Sequence, residues 1–280
     1  PVTSTSASMD FVADQGGPLL ATYGSLEVRL AQTEAEIVAA QRLRYEVFYK
    51  EMSAQPSAEM ARLERDFDHY DDFCDHMLVT DTAAGNTVVG CYRLLRSEVA
   101  AKHGGFYTAG EYDIAPMLAK HPPGYKSLEL GRSCVVKAYR TGTTMQLLWR
   151  GIVVYLARFD LQLMFGCASL PGTDPQALAL PLSYLHHYFL APEGERVRAL
   201  PDRYVGMNIL PKDSFPQMEG QKAVPPLIKG YVRTGAYIGD GAVVDHQFGT
   251  TDVFIYFPVS RVNPRFLAHY KKKLGSGDEE

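Results

Sequence analysis

The sequence predicts an α/β fold. Strand-like apolar segments occur between segments with the 3.6-residue apolar spacing of helices. The chain has 280 residues, of which 46% are apolar, so it can bury a large core. No internal repeat or long linker divides it. We expect one domain at residues 25–262, a weakly ordered Ser-, Thr-, Ala- and Gly-rich segment at residues 1–24, and a solvated tail at residues 263–280.

The chain begins its predicted order with a strand and a helix. Leu26 to Ala31 alternates in polarity, as a half-buried strand does, and Thr33 is placed to cap a helix that extends to about Tyr49. The apolar face of this helix consists of Ile37, Ala40, Leu43, Val47 and Phe48.

The later elements continue the mixed pattern. In chain order we expect a hairpin of strands at 76–80 and 87–93, a strand at 127–136, a helix from Thr143 or Thr144 to Phe159, a strand at 161–169, helices at 178–190 and 226–233, and a strand at 251–259. The irregular, Pro-rich stretch from Ala191 to Pro226 is the one plausible boundary inside the folded part.

Composition excludes several classes of protein. The net charge of −4 gives no overall electrostatic case for nucleic-acid binding. Cys74, Cys91, Cys134 and Cys167 lack CxxC spacing, which favours reduced thiols, and no set of ligands has zinc spacing. The sequence contains no apolar run long enough for a membrane span and no signal pattern, so we expect a soluble, cytoplasmic protein.

Four short motifs concentrate charge in a fixed order. They are LRYEVFYKE at Leu43 to Glu51, DFDHYDDFCDHMLVTD at Asp66 to Asp81, GCYRLLR at Gly90 to Arg96, and ELGRSCV at Glu129 to Val135. They place arginines and carboxylates on a helix, a loop and three strands. Buried charges are costly unless they are paired, so charges that converge from separate elements indicate a site for a charged small molecule.

The order of elements resembles the GNAT acyltransferase fold. That resemblance implies a central, mixed and splayed β-sheet flanked by helices, with the phosphopantetheine arm of the acyl donor in the gap between the splayed strands. No further cofactor and no metal are implied.

The motifs resemble those of acyl-homoserine-lactone synthases, a GNAT-like family that transfers acyl chains from acyl carrier protein. The matching residues are Arg44, Phe48, Asp68, Asp71, Arg93, Glu129 and Arg132. The segments at Leu180 to Phe189, Pro225 to Tyr231 and Gly241 to Ile255 instead resemble the bacterial ornithine N-acyltransferases. This second resemblance extends from about Leu26 to Val259 and implies transfer of a 3-hydroxyacyl group from acyl carrier protein to the α-amine of ornithine, giving a lyso-ornithine lipid.

Aminolysis of a thioester requires a base, since a primary ammonium titrates near pH ~10. We expect Glu129 to be that base; the alternative is a structural ion pair with Arg132 or Arg93. We expect Arg44 or Arg93 to grip the α-carboxylate of the acceptor and Arg132 to contribute to the same site. Asp68 or Asp71 would hold a distal ammonium or order the loop, and the alternative is an Arg–Asp network that only fixes that loop.

The donor side has a weaker signature. The Tyr139 to Thr144 loop keeps one glycine where donor loops for coenzyme A are glycine-rich, which favours a carrier-protein donor. Candidate docking charges for that acidic partner are Lys137, Arg140 and Arg150, unless they are ordinary solvated residues. Phe48 and Trp149 are candidates for the acyl pocket, and core packing explains Trp149 equally well.

Some alternatives stay open. Asp245 and Asp252 could recognise the δ-ammonium of ornithine or could serve turns. His186 and His187 diverge on a helix, which favours packing over catalysis.

Rival functions are acyl transfer to S-adenosylmethionine, glycine, glutamine or lysine, and a non-catalytic protein that binds acyl carrier protein. An amphiphilic product makes peripheral contact with the inner face of the membrane plausible, near Phe266 and Leu267.

Overall fold

The computed structural model describes residues 17–262. The strands are β1 (Leu19–Tyr23), β2 (Leu26–Leu30), β3 (Asp75–Asp81), β4 (Thr87–Arg96), β5 (Tyr112–Asp113), β6 (Ser127–Val135), β7 (Leu163–Pro171), β8 (Arg198–Ala199), β9 (Tyr237–Asp245) and β10 (Thr250–Pro258). The helices are α1 (Glu34–Arg44), α2 (Ala58–Leu63), α3 (Ser97–Ala100), α4 (Ala115–Lys120), α5 (Gly142–Arg158), α6 (Ala179–Phe189), α7 (Gln217–Ala223) and α8 (Pro226–Thr234).

These strands form a mixed sheet in the order β1-β2-β3-β4-β6-β7-β10-β9-β8-β5. Neighbouring strands pair antiparallel except β6 with β7 and β8 with β9, which are parallel. Helix α1 and the π-helical segment that follows it pack on one face, where Leu43 and Val47 share a core cluster with Leu78 and Cys91. Helix α5 packs on the other face within the largest core cluster. The predicted mixed sheet flanked by helices is confirmed.

The sheet splays between β6 and β7. Their ladder has three paired positions, which end at Glu129 and Phe165. Beyond this point β7 pairs with β10 along nine residues, while β6 continues along β4. Gly166 follows the last pair, and a Cβ there would lie 2.3 Å from the Leu130 carbonyl oxygen. The close approach at Gly166 therefore precedes the divergence of the two strands.

The predicted helix through Tyr49 changes character halfway. Thr33 caps α1 through its side chain, as expected, but the α-helix ends at Arg44 and continues as a π-helical segment, Tyr45–Glu51. Its wider turn is closed by a bond from Met52 N–H to the Val47 carbonyl at 3.0 Å. Such wide turns are frequent at functional sites, and this one places Phe48 on the cavity described below.

Three sequence predictions need correction. The sheet begins at β1, so the ordered part starts at least six residues before the predicted boundary at residue 25. Strand β9 was not predicted because Gly239 and Gly241 are poor strand formers. At Gly239 a Cβ would lie 2.8 Å from Phe254 Cβ, which explains why this strand needs glycine.

The stretch from Ala191 to Pro226 is not a domain boundary. It contributes β8 and α7, the Ala191 N–H bonds to the Ile238 carbonyl of β9, and Met207 is buried in the main core. The tail at residues 263–280, with Phe266 and Leu267, and the first sixteen residues lie outside the described part. Within residues 17–262, no helix combines the length and apolarity needed to cross a bilayer.

Candidate active site

A cavity of about 470 Å³ opens where β6 and β7 diverge. Its walls come from both halves of the sheet and from the π-helical segment. Arg93, Glu129 and Arg132 line one side, on β4 and β6, and Asp252 lines the other side on β10. Apolar side chains such as Phe48 complete the wall, so the cavity has both a charged and an apolar surface suited to an amphiphilic ligand.

Glu129 is the buried carboxylate at the point of divergence. Its Oε1 accepts the Thr108 N–H at 2.7 Å and its Oε2 accepts the Tyr107 N–H at 3.1 Å. Burial raises the pKa of Glu129, although these bonds and the Arg93 charge oppose the shift. The carboxylate is fixed by backbone donors and not by an ion pair with Arg132, which instead pairs with Asp66 and Asp68.

Arg132 reaches the site because β6 is irregular there. Residues Cys91 and Arg93 of β4 oppose Cys134 and Gly131 of β6, so β6 carries one extra residue. Arg132 has a left-handed φ of 51°, as expected for such a bulge. Its guanidinium lies 5.1 Å from the Tyr107 ring centroid and 4.8 Å from that of Phe248.

Arg44 belongs to a buried network behind the cavity. Its Nη1 and Nη2 donate to Asp71 at 2.9 and 2.7 Å, and its Nε lies 2.8 Å from Asp66 Oδ2. Arg44 is 1% exposed and is not among the residues that line the cavity. Burial disfavours the ionised form of Asp71, but the Arg44 guanidinium outweighs it and holds the pKa of Asp71 below its usual range. Arg44 and Asp71 therefore fit the alternative of a structural network.

Arg93 connects this network to the cavity. Its Nη1 donates to Asp68 and, at 3.3 Å, to Asp71, and its guanidinium lies 5.7 Å from the Tyr107 ring centroid. Asp68 also accepts from Arg132 Nη2 at 3.1 Å and caps the turn at Tyr70. Asp68 thus orders the loop and two cavity arginines, and it does not line the cavity itself.

The two acyl-pocket candidates have different positions. Phe48 lines the cavity and packs edge-on against Phe248 at 5.7 Å between ring centroids. Trp149 on α5 does not line it and packs edge-on against Tyr231 and Phe257. The core explanation for Trp149 therefore fits the structure, and Tyr231 forms the cavity wall in front of it.

The three docking candidates also differ. Lys137 and Arg140 are exposed just before α5, and Arg140 lies at the cavity, where its guanidinium forms a two-pronged pair with Glu51. Arg150 is half-buried on α5 itself. Lys137 and Arg140 are therefore accessible to a docking partner, whereas the side chain of Arg150 is less exposed.

Sequence reasoning missed Glu111 and Thr108. Glu111 has a carboxylate oxygen within 4.8 Å of those of Asp245 and Asp252. Burial, and then the Asp252 charge, raise the pKa of Glu111 to about 7, and burial raises the pKa of Asp252 to about 6. No motif marks Glu111 or Thr108, because both lie in an irregular segment whose position depends on tertiary contacts.

This carboxylate group is the one set among residues 17–262 with donor atoms arranged for a cation. Carboxylate oxygens suit a hard metal ion or an ammonium group. The four cysteines are free thiols; Cys134 is buried beneath α1, in the core cluster that also contains Leu43, Leu78 and Cys91. Histidines His186 and His187 lie on α6, and neither lines the cavity.

Comparison with known proteins adds a family assignment. A family model described as an acetyltransferase (GNAT) domain matches residues 43–150, from the first charged motif to the middle of α5. The chain is also similar, over most of its length, to proteins named L-ornithine N(alpha)-acyltransferase. It is 48% identical to that of Agrobacterium fabrum (strain C58 / ATCC 33970) over 256 residues, which cover 90% of this chain and 87% of the relative.

A second relative of that name, from Brucella abortus (strain 2308), is 47% identical over 264 residues, which cover 93% of this chain and 94% of the relative. Among solved structures, an N-acyl amino acid synthase from uncultured soil microbes aligns with a TM-score of 0.47 and 11% identity, over 84% of this chain and 91% of the other.

Proposed function

The chain belongs to the L-ornithine N(alpha)-acyltransferase family of GNAT-fold acyltransferases, and we propose that it transfers an acyl group to the α-amine of L-ornithine. The observation that carries this proposal is the identity of 40–48% to four proteins of that name over most of the chain.

Glu129 acts as the general base. It faces the cavity, and burial raises its pKa, so its affinity for a proton is greater than that of an exposed glutamate. The base takes the proton from the α-ammonium of ornithine, directly or through a water molecule. The free amine then attacks the thioester carbonyl and the carbon–sulfur bond breaks. The nitrogen passes its second proton to the departing sulfur, so the donor leaves as a thiol, and Glu129 returns its proton to water.

Arg93 and Arg132 hold the α-carboxylate of the acceptor. Both line the cavity on the same side as Glu129. A guanidinium has five N–H donors, so each can keep its bond to Asp68 and still bind a ligand carboxylate. We assign Arg132 in place of Arg44 to binding of the acceptor α-carboxylate, because Arg44 is buried against Asp66 and Asp71.

The acyl donor is a 3-hydroxyacyl acyl carrier protein. Its phosphopantetheine arm would enter the gap beyond the last β6–β7 pair, and its chain would lie along Phe48 and the other apolar residues of the wall. The exposed Lys137 and Arg140 at the cavity side favour an acidic carrier. We place the reaction in the cytoplasm, with peripheral contact to the membrane as the route by which the amphiphilic product leaves.

The test is release of thiol from 3-hydroxypalmitoyl acyl carrier protein in the presence of single amino acids, with mass spectrometry of the product. N-Acylornithine is expected, together with release that depends on ornithine. Release with S-adenosylmethionine and formation of a lactone would replace the acceptor. Binding of the carrier without release of thiol from any mixture would contradict the proposed activity altogether.

A further inference from the structure

The cavity has a second charged region that the chemistry of the α-amine does not use. Glu111, Asp245 and Asp252 bring three carboxylates together, with one oxygen of each within 4.8 Å of the others. Asp245 and Asp252 line the cavity. Both lie on the β9–β10 side of the splay, whereas Glu129 and Arg132 lie on β6. A ligand that spans the gap would contact both groups.

The turn explanation accounts for part of this group. Asp245 Oδ1 accepts the N–H groups of Gln247 and Phe248 at 2.8 and 3.0 Å, so this oxygen does serve the β9–β10 turn. Asp252 lies within β10, opposite Ser169 of β7, and its Oδ1 accepts from the Thr250 hydroxyl. Turn formation therefore explains Asp245 in part and does not explain Asp252.

Glu111 provides an independent indication of a ligand site. It is 4% exposed, and its Oε2 is buried without a hydrogen-bond partner of good geometry among the described residues. The neighbouring Cys167 thiol is only a weak donor to this carboxylate. Its Oε1 is 3.7 Å from Arg203 Nη1, a distance beyond a good hydrogen bond. An unsatisfied buried carboxylate oxygen is costly, and a cation beside Asp252 would remove that cost.

The charges that face this group do not neutralise it. Two guanidinium groups act on the three carboxylates: Arg203 faces Glu111, and Arg132 faces Asp252. Burial and the adjacent carboxylates raise the pKa of Glu111 to about 7 and that of Asp252 to about 6. Burial is the largest cause of both shifts, and the neighbouring carboxylate charges add to it despite the two arginines.

We infer that Glu111, Asp245 and Asp252 bind the δ-ammonium of the acceptor amino acid and thereby select ornithine. This inference rests on the proposed function. An ammonium group that donates N–H···O bonds of ~2.8 Å separates its acceptor oxygens by about 4.6 Å. The group's spacing permits this arrangement. Carboxylate oxygens at this spacing also suit a hard divalent ion, and the test below distinguishes the two ligands.

Thr108 and Cys167 lie between Glu129 and the carboxylate group of Glu111, Asp245 and Asp252. Thr108 donates its N–H to Glu129, and its hydroxyl lies 4.0 Å from the Cys167 thiol on β7. Cys167 lines the cavity, and its ionisation is opposed first by burial and then by the charges of Glu111 and Asp252. The α-amine near Glu129 and the δ-ammonium near Asp252 would thus lie on either side of Cys167.

The test compares L-ornithine with L-norvaline, which has the same carbon chain but no δ-amine. Thiol release from 3-hydroxyacyl carrier protein gives kcat/KM for each in the wild type, Asp252→Asn and Glu111→Gln. We expect ornithine to be preferred by the wild type, and the ratio of the two kcat/KM values to fall about 10-fold or more in each variant. The control Asp113→Asn makes the same charge change at an exposed residue of β5 and should keep the wild-type ratio.

Equal kcat/KM for ornithine and norvaline in the wild type, or variants that lower both equally, would overturn the inference while acyl transfer remains intact. Loss of activity on chelation and its recovery with Mg²⁺, Mn²⁺ or Ca²⁺ would overturn it in favour of a metal site. Titration calorimetry gives a second readout. Ornithine should bind the wild type more tightly than norvaline, and Asp252→Asn should remove the difference. Selective binding without any turnover would refute the proposed function and support this inference.

Discussion

Glu129 and Arg132 are three residues apart on one strand, yet both contact Tyr107 at the same wall of the cavity. Glu129 Oε2 accepts the Tyr107 N–H at 3.1 Å, and the Arg132 guanidinium lies 5.1 Å from the Tyr107 ring centroid. In a regular strand, side chains three positions apart point to opposite faces. The extra residue of β6, with Arg132 at a φ of 51°, reverses the alternation and brings both charges to one side.

Replacement of the proposed base should change both the rate and its pH dependence. Glu129→Gln keeps the size of the side chain but cannot take a proton, so kcat should fall about 100-fold or more. Burial raises the pKa of Glu129, so the wild-type rate should rise with pH through a value above the ordinary glutamate range. The variant should lose that rise. A pH profile of kcat under saturating donor and acceptor measures it, and an unchanged profile would exclude Glu129 as the base.

Arg44 should matter for stability and not for acceptor binding. Arg44→Lys keeps the charge but loses the two-pronged bond to Asp71, so the free energy of unfolding should fall by about 2–3 kcal/mol. Urea unfolding measures this change. The KM for ornithine of the folded variant should stay within about twofold of the wild type. The control Arg42→Lys changes an exposed arginine of α1 and should alter neither quantity. A higher KM with unchanged stability would instead place Arg44 in the binding site.

Glu111 should lower the free energy of unfolding at neutral and alkaline pH. Burial raises its pKa to about 7, so the folded state holds a proton that the unfolded state has already released. Its contribution to stability is therefore full below the ordinary glutamate pKa and is lost as pH rises through about 7.

The variant Glu111→Gln has no carboxyl group at this position, so it should not lose stability as pH rises through about 7. Without ligand, the variant should be more stable than the wild type at pH 8, by on the order of 1–3 kcal/mol, with a smaller difference at pH 5. Thermal unfolding at the two pH values measures the change, and Glu193→Gln, at an exposed glutamate, is the control. A variant that is less stable than the wild type at pH 8 would contradict the predicted sign.

Carrier docking should depend on the exposed charges before α5. The double variant Lys137→Glu, Arg140→Glu should raise the KM for acyl carrier protein about tenfold at low salt, because like charges oppose encounter with an acidic partner. The effect should shrink as salt increases. The KM for ornithine should change much less than the KM for the carrier, although Arg140 also pairs with Glu51 at the cavity.

A control with Lys102→Glu and Lys222→Glu makes the same charge change at other exposed positions. An equal rise in the KM for the carrier in both double variants would indicate an effect of net charge and exclude a local docking surface. Arg150 is a poorer test because it is half-buried on α5, so its reversal would also disturb packing.

Most helices and strands, and the main charged motifs, could be predicted from the amino-acid sequence. Helical and strand periodicities located α1, β3, β4, β6, α5, β7 and β10 to within a few residues, because each buries a regular apolar face or run. The motifs also contained the residues that line one wall, Arg93, Glu129 and Arg132. These features depend on neighbours close in sequence, and the sequence therefore reports them directly.

Which of the charged side chains reach the cavity depends on the three-dimensional fold. Arg44 and Arg93 look alike in sequence, but Arg44 is buried against Asp66 and Asp71, and Arg93 lies at the cavity wall. Glu111 joins Asp252 from an irregular segment 141 positions earlier in the numbering, in a contact that no local pattern announces. Charge pairing depends on distances of a few ångströms across the fold, and such distances are set by the bulge in β6, the splay after Glu129 and the packing of the whole sheet.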